Sequence, residues 1–256
     1  MKVGILAGGF GTRLAEETEI RPKPMVEIGG MPILWHIMMI YSRYGHTDFC
    51  IGLGYKGSYI KRWFHEYSSY NGCLSVNTAN GDIRRHGADI PNWNIDLVET
   101  GAATMTGGRI KRLMSWSGRE RILMTWGDGL SDINLDNLID FHESHGKLAT
   151  MTAVRPPARY GHIEFDGDQV REFSEKPQTG EGWINGAFFV LEPEVFDYIE
   201  GDHEMFEHEP MRRLAEDGQL MAFRHSSFWQ CMDTLREKQI LQNLWDKGDA
   251  PWKTWA

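Results

Sequence analysis

The residues best suited to chemistry lie near the start of the chain, where a glycine-rich run is followed by two cations. Gly8-Gly9-Phe10-Gly11-Thr12-Arg13 follows a short apolar segment, and Lys23 stands further on between two prolines. Glycine has no Cβ atom, so the backbone can approach a phosphate closely and point its N–H groups at it. Arg13 offers a planar guanidinium and Lys23 a compact charge, both suited to phosphate oxygens. The run therefore predicts a site that binds the phosphates of a nucleoside triphosphate.

Two common phosphate-binding loops are excluded by the spelling of this run. A Walker loop needs a lysine directly after its last glycine, whereas Thr12 follows Gly11. A dinucleotide-binding loop needs a third glycine, and Leu14 occupies that position. The residues by themselves leave open an ordinary glycine turn with a surface arginine and lysine.

A second candidate group is acidic. Asp128 lies between two glycines at the end of a predicted buried strand, where ligands gather in open α/β sheets. Asp233 lies in the segment Trp229–Thr234. Phosphoryl-type transfer depends on positioning and charge neutralisation, usually with Mg²⁺ held by carboxylates. Each aspartate by itself is also compatible with a turn or a helix cap.

The segments Leu6–Leu14 and Pro22-Lys23-Pro24 together resemble the signature of the sugar-nucleotide pyrophosphorylases, G-x-G-T-R followed at a distance by a lysine. The resemblance implies catalytic roles for Arg13 and Lys23 at the triphosphate, and Mg²⁺ as a cofactor bound by Asp128 and Asp233. The nucleotide-binding residues that it implies are Leu6, Ala7, Gly8, Gly9, Phe10, Gly11, Thr12, Arg13, Lys23, Thr104, Arg109 and Gly127. The sugar-phosphate-binding residues that it implies are Glu175, Lys176, Asn185 and Gly186. An exposed ion pair is the alternative for Glu175 and Lys176.

The stretch Thr100–Arg109 and the end Pro251–Trp255 narrow the resemblance to members that transfer a cytidylyl group to glucose 1-phosphate. This implies CTP and α-D-glucose 1-phosphate as substrates, CDP-glucose and pyrophosphate as products, and a symmetric homo-oligomer such as a hexamer. It also implies a role in supplying deoxysugars for surface polysaccharide, such as lipopolysaccharide O-antigen. The same chemistry with dTTP or UTP, and a non-catalytic nucleotide-sugar sensor, stay open as alternatives. Leu14 disfavours a dehydrogenase.

Composition and charge restrict the class of protein. The 256-residue chain has a formal net charge of -9, which disfavours a nucleic-acid binder because such proteins usually carry a basic patch. Three widely separated cysteines, Cys50, Cys73 and Cys231, predict neither a disulfide framework nor a zinc site. No apolar run approaches the ~20 residues of a membrane span, and the N-terminus lacks a signal-peptide core. We therefore expect a cytoplasmic enzyme with no membrane partner.

Alternating strand and helix patterns must position these residues. Predicted strands are Lys2–Ala7, Phe49–Leu53, Arg121–Trp126, Ala149–Val154 and Ala187–Leu191, and predicted helices follow Pro32 and cover Tyr59–Tyr67, Leu135–His145 with Ser131 or Asp132 as cap, and Leu235–Trp245. The pattern predicts an α/β fold, a Rossmann-like three-layer αβα core with a mixed, mostly parallel sheet, an insertion and a smaller sugar-binding and C-terminal part. We expect one nucleotidyltransferase domain over 1–256. Residues 1–133 would form its nucleotide-binding part, with an excursion at about 70–93, and residues 134–256 its sugar-phosphate-binding and C-terminal part.

Three further features are given structural interpretations. His142 and His145 are interpreted as solvated helix histidines rather than metal ligands. The acidic segment Asp202–Glu209 is interpreted as the solvated start of a helix. Trp252 and Trp255 are too apolar to remain exposed at a chain end, so we expect them to dock, for example on another subunit.

Overall fold

The computed structural model describes residues 1–87, 90–156, 162–166, 169–174 and 182–255, with Arg13, Ala15, 162–166 and 170–174 described by their main chain only. The strands are β1 (Lys2–Leu6), β2 (Glu27–Ile28), β3 (Met31–Pro32), β4 (Asp48–Leu53), β5 (Cys73–Val76), β6 (Ile83–His86), β7 (Asn94–Glu99), β8 (Ile122–Trp126), β9 (Gly129–Ser131), β10 (Ala149–Val154), β11 (His162–Asp166), β12 (Gln169–Ser174), β13 (Ile184–Leu191), β14 (Leu220–His225) and β15 (Trp229–Cys231). The helices are α1 (Ala15–Thr18), α2 (Ile33–Arg43), α3 (Gly57–Tyr70), α4 (Thr106–Trp116), α5 (Leu135–His145), α6 (Glu209–Glu216) and α7 (Leu235–Asp246). Short 3₁₀ helices cover Thr12–Leu14, Lys23–Met25 and Pro193–Tyr198.

A seven-stranded sheet in the order β14-β10-β13-β8-β1-β4-β7 forms the centre of the fold. Its strands run parallel except β13, which is antiparallel to its neighbours β8 and β10. Strands buried on both faces need apolar residues at successive positions, and this is the pattern of β1 and β8. The predicted mixed, mostly parallel sheet is confirmed.

Helices cover both faces of this sheet and produce three layers. Helices α2, α3, α5 and α7 contribute to one apolar core, and α4, α6 and the 3₁₀ helix Pro193–Tyr198 to the other. Alternate residues of β1 point into the two cores, Val3 and Ile5 into the first and Leu6 into the second. Within the described residues, no helix combines the length and apolar composition that crossing a bilayer requires.

The predicted bounds of α5 are confirmed, but its predicted cap is wrong. The side chain of Asn134 caps the helix by accepting a hydrogen bond from Asn137 N at 3.0 Å. Ser131 is buried instead in β9, where its hydroxyl donates to Phe228 O at 2.8 Å. The Ser131 hydroxyl is therefore engaged in a tertiary contact, and Asn134, which directly precedes the helix, provides the N-cap.

One histidine of α5 is buried and the other is partly buried, so the interpretation of both as solvated is wrong for His142. His142 is buried, and its Nδ1 lies 2.8 Å from Thr150 Oγ1. His145 is partly buried, and its Nε2 lies 2.7 Å from the same hydroxyl. Both side chains therefore join α5 to strand β10.

The C-terminal tail docks on its own chain, so a second subunit is not needed to cover Trp252. This indole is fully buried and packs against Phe228, Trp245 and His36. Trp255 packs edge-on against a ring of α2. Burial lowers the pKa of His36 to about 4, so the imidazole at the centre of this cluster is neutral at physiological pH.

The predicted excursion at 70–93 contains a two-stranded antiparallel hairpin formed by β5 and β6. Each residue of these two strands is exposed. On one face, Val76 and Ile83 lie opposite each other with exposed fractions of 57% and 60%. The hairpin thus presents an exposed apolar pair on one of its faces.

Candidate active site

The candidate site is a cavity of ≈ 340 Å³ at the carboxyl ends of β1 and β8, which we call the edge cavity. Because adjacent parallel strands end at one edge of a sheet, the loops that follow them meet there. The lining residues are Leu6, Ala7, Gly8, Gly9, Phe10, Gly11, Thr12, Lys23, Pro24, Ala102, Ala103, Thr104, Met105, Thr106, Arg109, Trp126, Gly127, Asp128 and Asp233. The glycine loop and the two aspartates predicted from the sequence therefore share one cavity.

Glycine is required at position 8 by the close packing of the loop. A Cβ atom there would lie 2.1 Å from Arg109 Nη1 and 2.9 Å from Gly54 N. The carbonyl of Gly8 accepts hydrogen bonds from Tyr55 N and from Arg109 Nη2, both at 3.1 Å. These bonds hold the loop against the ends of β4 and α4, so its conformation is fixed by the rest of the fold.

Arg109 supports this loop from inside the protein. It is 4% exposed, and its guanidinium donates to Gly8 O, Leu53 O, Ala102 O and Thr100 Oγ1. Burial, with a smaller contribution from a neighbouring arginine, lowers its pKa below the ordinary value. The sequence prediction placed Arg109 on the nucleotide. The structure places it on the cavity wall with these four bonds to the protein, which fits a positioning residue for the loops on both sides.

Lys23 lies between the two candidate metal ligands. Its ammonium is 2.5 Å from Asp128 Oδ2 and 2.5 Å from Asp233 Oδ1. Burial would lower the pKa of Lys23, but the two carboxylates, Asp128 first, outweigh burial and raise it above the ordinary value. The side chain is therefore a permanent cation held between two anions.

The two aspartates are brought together by a small strand pair, although they are far apart in sequence. Asp128 directly precedes β9, and Asp233 lies two residues after β15, which pairs antiparallel with β9. Met232 N donates to Asp128 O at 2.9 Å and closes the pair at this end. Glu237 on α7 forms a capping box with Thr234 and also accepts a hydrogen bond from Asp233 N at 2.7 Å. Helix α7 thus fixes the backbone that carries the second carboxylate.

The donor set fits a divalent cation. Two carboxylate oxygens that share one ammonium converge on a single cationic position, and carboxylates are the ligands that Mg²⁺ prefers. Among the described residues, Cys231, Asp233 and Glu237 also offer ligand atoms within 4.8 Å of one another. Burial, followed by the charge of Asp233, raises the pKa of the Cys231 thiol to about 12, so this sulfur is a protonated, poor ligand.

Most residues predicted for the nucleotide line the edge cavity, whereas the sugar-phosphate residues are only partly placed. Arg13 belongs to the 3₁₀ helix Thr12–Leu14, and its side chain lies outside the described residues. Glu175 and Lys176 lie outside them entirely. Asn185 and Gly186 open β13 at the same sheet edge as the end of β8, but neither belongs to the cavity lining.

Sequence reasoning missed part of the cavity wall. The missed lining residues are Pro24, Ala102, Ala103, Met105, Thr106 and Trp126. Behind this wall lies Glu207, which accepts from Thr106 Oγ1 at 2.5 Å and from Trp126 Nε1 at 2.9 Å. The acidic segment Asp202–Glu209 was interpreted as solvated, and for Glu207 this interpretation is wrong. Acidic composition alone could not show that one of its carboxylates points inward.

Comparison with known proteins gives consistent relatives. A family model described as "Nucleotidyl transferase" matches residues 2–234. A glucose-1-phosphate cytidylyltransferase from Salmonella typhi is 51% identical over 256 residues, which is 100% of both chains. A Bacillus subtilis protein described as a "probable glucose-1-phosphate cytidylyltransferase" is 43% identical, again over 100% of both. The crystal structure of HddC from Yersinia pseudotuberculosis with GMP-PN has a TM-score of 0.70 at 22% identity, covering 95% of this chain and 99% of that chain, and shows likeness of fold.

Proposed function

The chain belongs to the nucleotidyl transferase family, and we infer that it transfers a cytidylyl group from CTP to α-D-glucose 1-phosphate. The products are CDP-glucose and pyrophosphate. One structural observation carries this function: the glycine loop, Lys23 and the Asp128–Asp233 pair converge in a single cavity. Full-length identity of 51% to a glucose-1-phosphate cytidylyltransferase supports the choice of substrates.

The reaction needs no covalent enzyme intermediate. An oxygen of the sugar phosphate attacks the α-phosphorus of CTP, and the bond from that phosphorus to the bridging oxygen breaks to release pyrophosphate. The main barrier is repulsion between two polyanions, so the protein contributes mostly positive charge and alignment. We propose that the loop N–H groups with Arg13 and Lys23 bind the triphosphate, while Glu175, Lys176, Asn185 and Gly186 bind the sugar phosphate.

Mg²⁺ is the proposed cofactor, with Asp128 and Asp233 as its protein ligands. When bound, it would neutralise phosphate charge and align the α-phosphate for in-line attack. Lys23 would then pair with the substrate phosphate, because its two carboxylate partners would be shared with the metal. The division of roles between residues 1–133 and 134–256 is likewise a proposal, and Asp233 joins the second part to the nucleotide site of the first.

A panel of nucleotides tests the proposed function. Purified protein with glucose 1-phosphate and Mg²⁺ is incubated separately with CTP, UTP, dTTP and GTP, and pyrophosphate release is measured. We expect release with CTP well above the other three. Pyrophosphate release with dTTP only or with UTP only would show that this nucleotide, and not CTP, is the substrate. Release with none of them would favour a nucleotide-sugar sensor, whose retained binding could be checked by calorimetry.

We further propose a homo-oligomer, of which a hexamer is one symmetric form, with the exposed hairpin as a subunit contact. The facing apolar pair Val76 and Ile83 supports this, because such groups gain free energy when covered. Replacing both with serine is expected to lower the mass measured by sedimentation velocity. Arg84→Ala, on the opposite face of the same hairpin, is the matched control. An unchanged mass for the double serine variant would place the contact elsewhere.

A further inference from the structure

The carboxylate of Glu207 controls the hydrogen-bonding state of one cavity hydroxyl. Thr106 lines the edge cavity and donates its hydroxyl hydrogen to Glu207 Oε2 at 2.5 Å. Thr106 Oγ1 also accepts a hydrogen bond from Phe206 N at 2.8 Å. A hydroxyl has one hydrogen and two lone pairs, so one lone pair is left. Towards a ligand in the cavity, Thr106 can therefore accept a hydrogen bond but cannot donate one.

The second oxygen of the same carboxylate makes this arrangement rigid. Glu207 Oε1 accepts from Trp126 Nε1 at 2.9 Å, and the indole stacks on Phe189 with ring centroids 5.0 Å apart. The carboxylate is half-buried, and both of its oxygens have donors from the cavity wall. Rotation of Glu207 would break two charge-assisted bonds at once, so the hydroxyl of Thr106 keeps its orientation.

Thr106 lines the same cavity as Lys23, Asp128 and Asp233, on an uncharged stretch of its wall. Lys23, Asp128 and Asp233 form one end, where the phosphates are neutralised. The segment Ala102–Thr106 contributes only alanine, threonine and methionine side chains to the wall. A triphosphate at the charged end directs the nucleobase towards this uncharged segment, because a pyrimidine ring is neutral and needs an apolar wall with a few polar contacts.

Pyrimidine bases differ in the polar group that they carry at position 4 of the ring. Cytosine carries a 4-amino group, which donates hydrogen bonds, whereas uracil and thymine carry a 4-carbonyl oxygen, which only accepts. A fixed acceptor opposite this position accepts a hydrogen bond from the 4-amino group of cytosine. Opposite uracil or thymine, the same acceptor faces a second acceptor, and neither oxygen is paired. Unpaired acceptors buried together cost the desolvation free energy of both groups.

We propose that Thr106, oriented by Glu207, is the acceptor that selects the 4-amino group of cytosine over the 4-carbonyl of uracil and thymine. Thr106 is then a specificity-determining residue and Glu207 its positioning residue. The proposal rests on the proposed cytidylyl transfer and assigns its base selection to two residues, one on α4 and one in the segment before α6.

Thr106→Val is the direct test, because valine keeps the shape and removes the oxygen. We expect kcat/KM with CTP to fall about tenfold while kcat/KM with UTP does not fall, the loss expected of one buried hydrogen bond. The 2-pyrimidinone ribonucleoside triphosphate, which lacks any 4-substituent, should react equally well with the wild-type and valine proteins. A loss of equal size with CTP and with this analogue would overturn the proposal.

Glu207→Gln tests the positioning role of Glu207 by reversing the direction of its hydrogen bond with Thr106. A glutamine amide can donate to Thr106 Oγ1 while its oxygen still accepts from Trp126 Nε1, so the threonine hydrogen is released towards the cavity. We expect the ratio of kcat/KM for CTP to that for UTP to fall about tenfold, mainly because UTP improves. His203→Gln, an exposed change in the same segment, is the control. A general loss with both nucleotides and an unchanged ratio would make Glu207 merely structural and contradict the proposal.

Two further outcomes separate this proposal from the function on which it rests. If wild-type protein uses no nucleotide, the proposed function fails first. If CTP is preferred but the ratio is unchanged in both variants, only the assignment to Thr106 and Glu207 fails. 2′-Deoxy-CTP supplies the remaining comparison: disappearance of the Thr106→Val effect with this substrate would place the hydroxyl at the ribose and overturn base selection.

Discussion

Replacing Asp128 with asparagine is expected to lower kcat by about a hundredfold or more, with the fold retained. Asparagine keeps the size of the side chain and removes the negative charge. The Asp128 carboxylate pairs with Lys23 at 2.5 Å and is, with Asp233, one of the two proposed metal ligands. Its loss therefore removes a metal ligand and the ion pair that positions Lys23. Pyrophosphate release under saturating CTP, glucose 1-phosphate and Mg²⁺ measures the effect.

Two controls make this result specific to the site. Asp140→Asn changes an exposed aspartate of α5 and should leave turnover unchanged. Calorimetric titration of Mn²⁺ should show weaker binding to the Asp128→Asn protein than to wild type, a readout that does not depend on turnover. Near-normal kcat in a folded Asp128→Asn protein would rule out the metal assignment.

Replacing Lys23 with alanine is expected to have an effect of similar size, about a hundredfold on kcat. Here the lost charge is the cation that would pair with the α-phosphate as negative charge develops. Because the site keeps both aspartates, Mn²⁺ binding should survive in Lys23→Ala, in contrast to Asp128→Asn. The pair of variants therefore separates loss of the metal from loss of the ammonium.

The control for Lys23 is Lys247→Ala, which removes an exposed lysine just after α7. Thermal unfolding should show that Lys23→Ala remains folded, although the repulsion of two unshielded carboxylates is expected to lower its melting temperature. Turnover within a few fold of wild type in Lys23→Ala would contradict a role for this ammonium at the reacting phosphate.

Local patterns predicted the parts of the fold whose causes are local. The apolar spacing after Pro32 gives α2, and the buried run at the N-terminus gives β1 followed by the glycine loop. The position of Asp128 after a buried strand gave its place at the sheet edge. In each case, neighbours in sequence determine the burial pattern, so periodicity and strand ends contain the necessary information.

Contacts between distant segments could not be predicted in this way. Glu207 reaches Thr106 across a separation of 101 residues, and nothing in the acidic segment Asp202–Glu209 marks which of its carboxylates contacts the cavity wall. The same limit explains the tail, where Trp252 packs on His36 in α2. It also explains the wrong cap of α5, since Ser131 lies in β9, which pairs with β15 from a distant part of the chain.

Arg109 illustrates how the structure adds contacts that the sequence does not indicate. The sequence placed it beside the nucleotide, and it does line the edge cavity. Its bonds to Gly8 O and Leu53 O, however, direct the guanidinium into the protein. A positive charge near a predicted phosphate site suggests a contact with the ligand. A buried arginine surrounded by carbonyl groups also donates hydrogen bonds to those groups, and these bonds are not visible in the sequence.

The fate of the α-phosphorus is the most direct test of the central claim. CTP labelled with ³²P at the α-phosphate is incubated with the protein, Mg²⁺ and α-D-glucose 1-phosphate, and the products are separated by chromatography. Cytidylyl transfer predicts that the label appears in CDP-glucose, with an equimolar amount of unlabelled pyrophosphate. Label that stays in CTP, or that appears in CMP without formation of CDP-glucose, would contradict it.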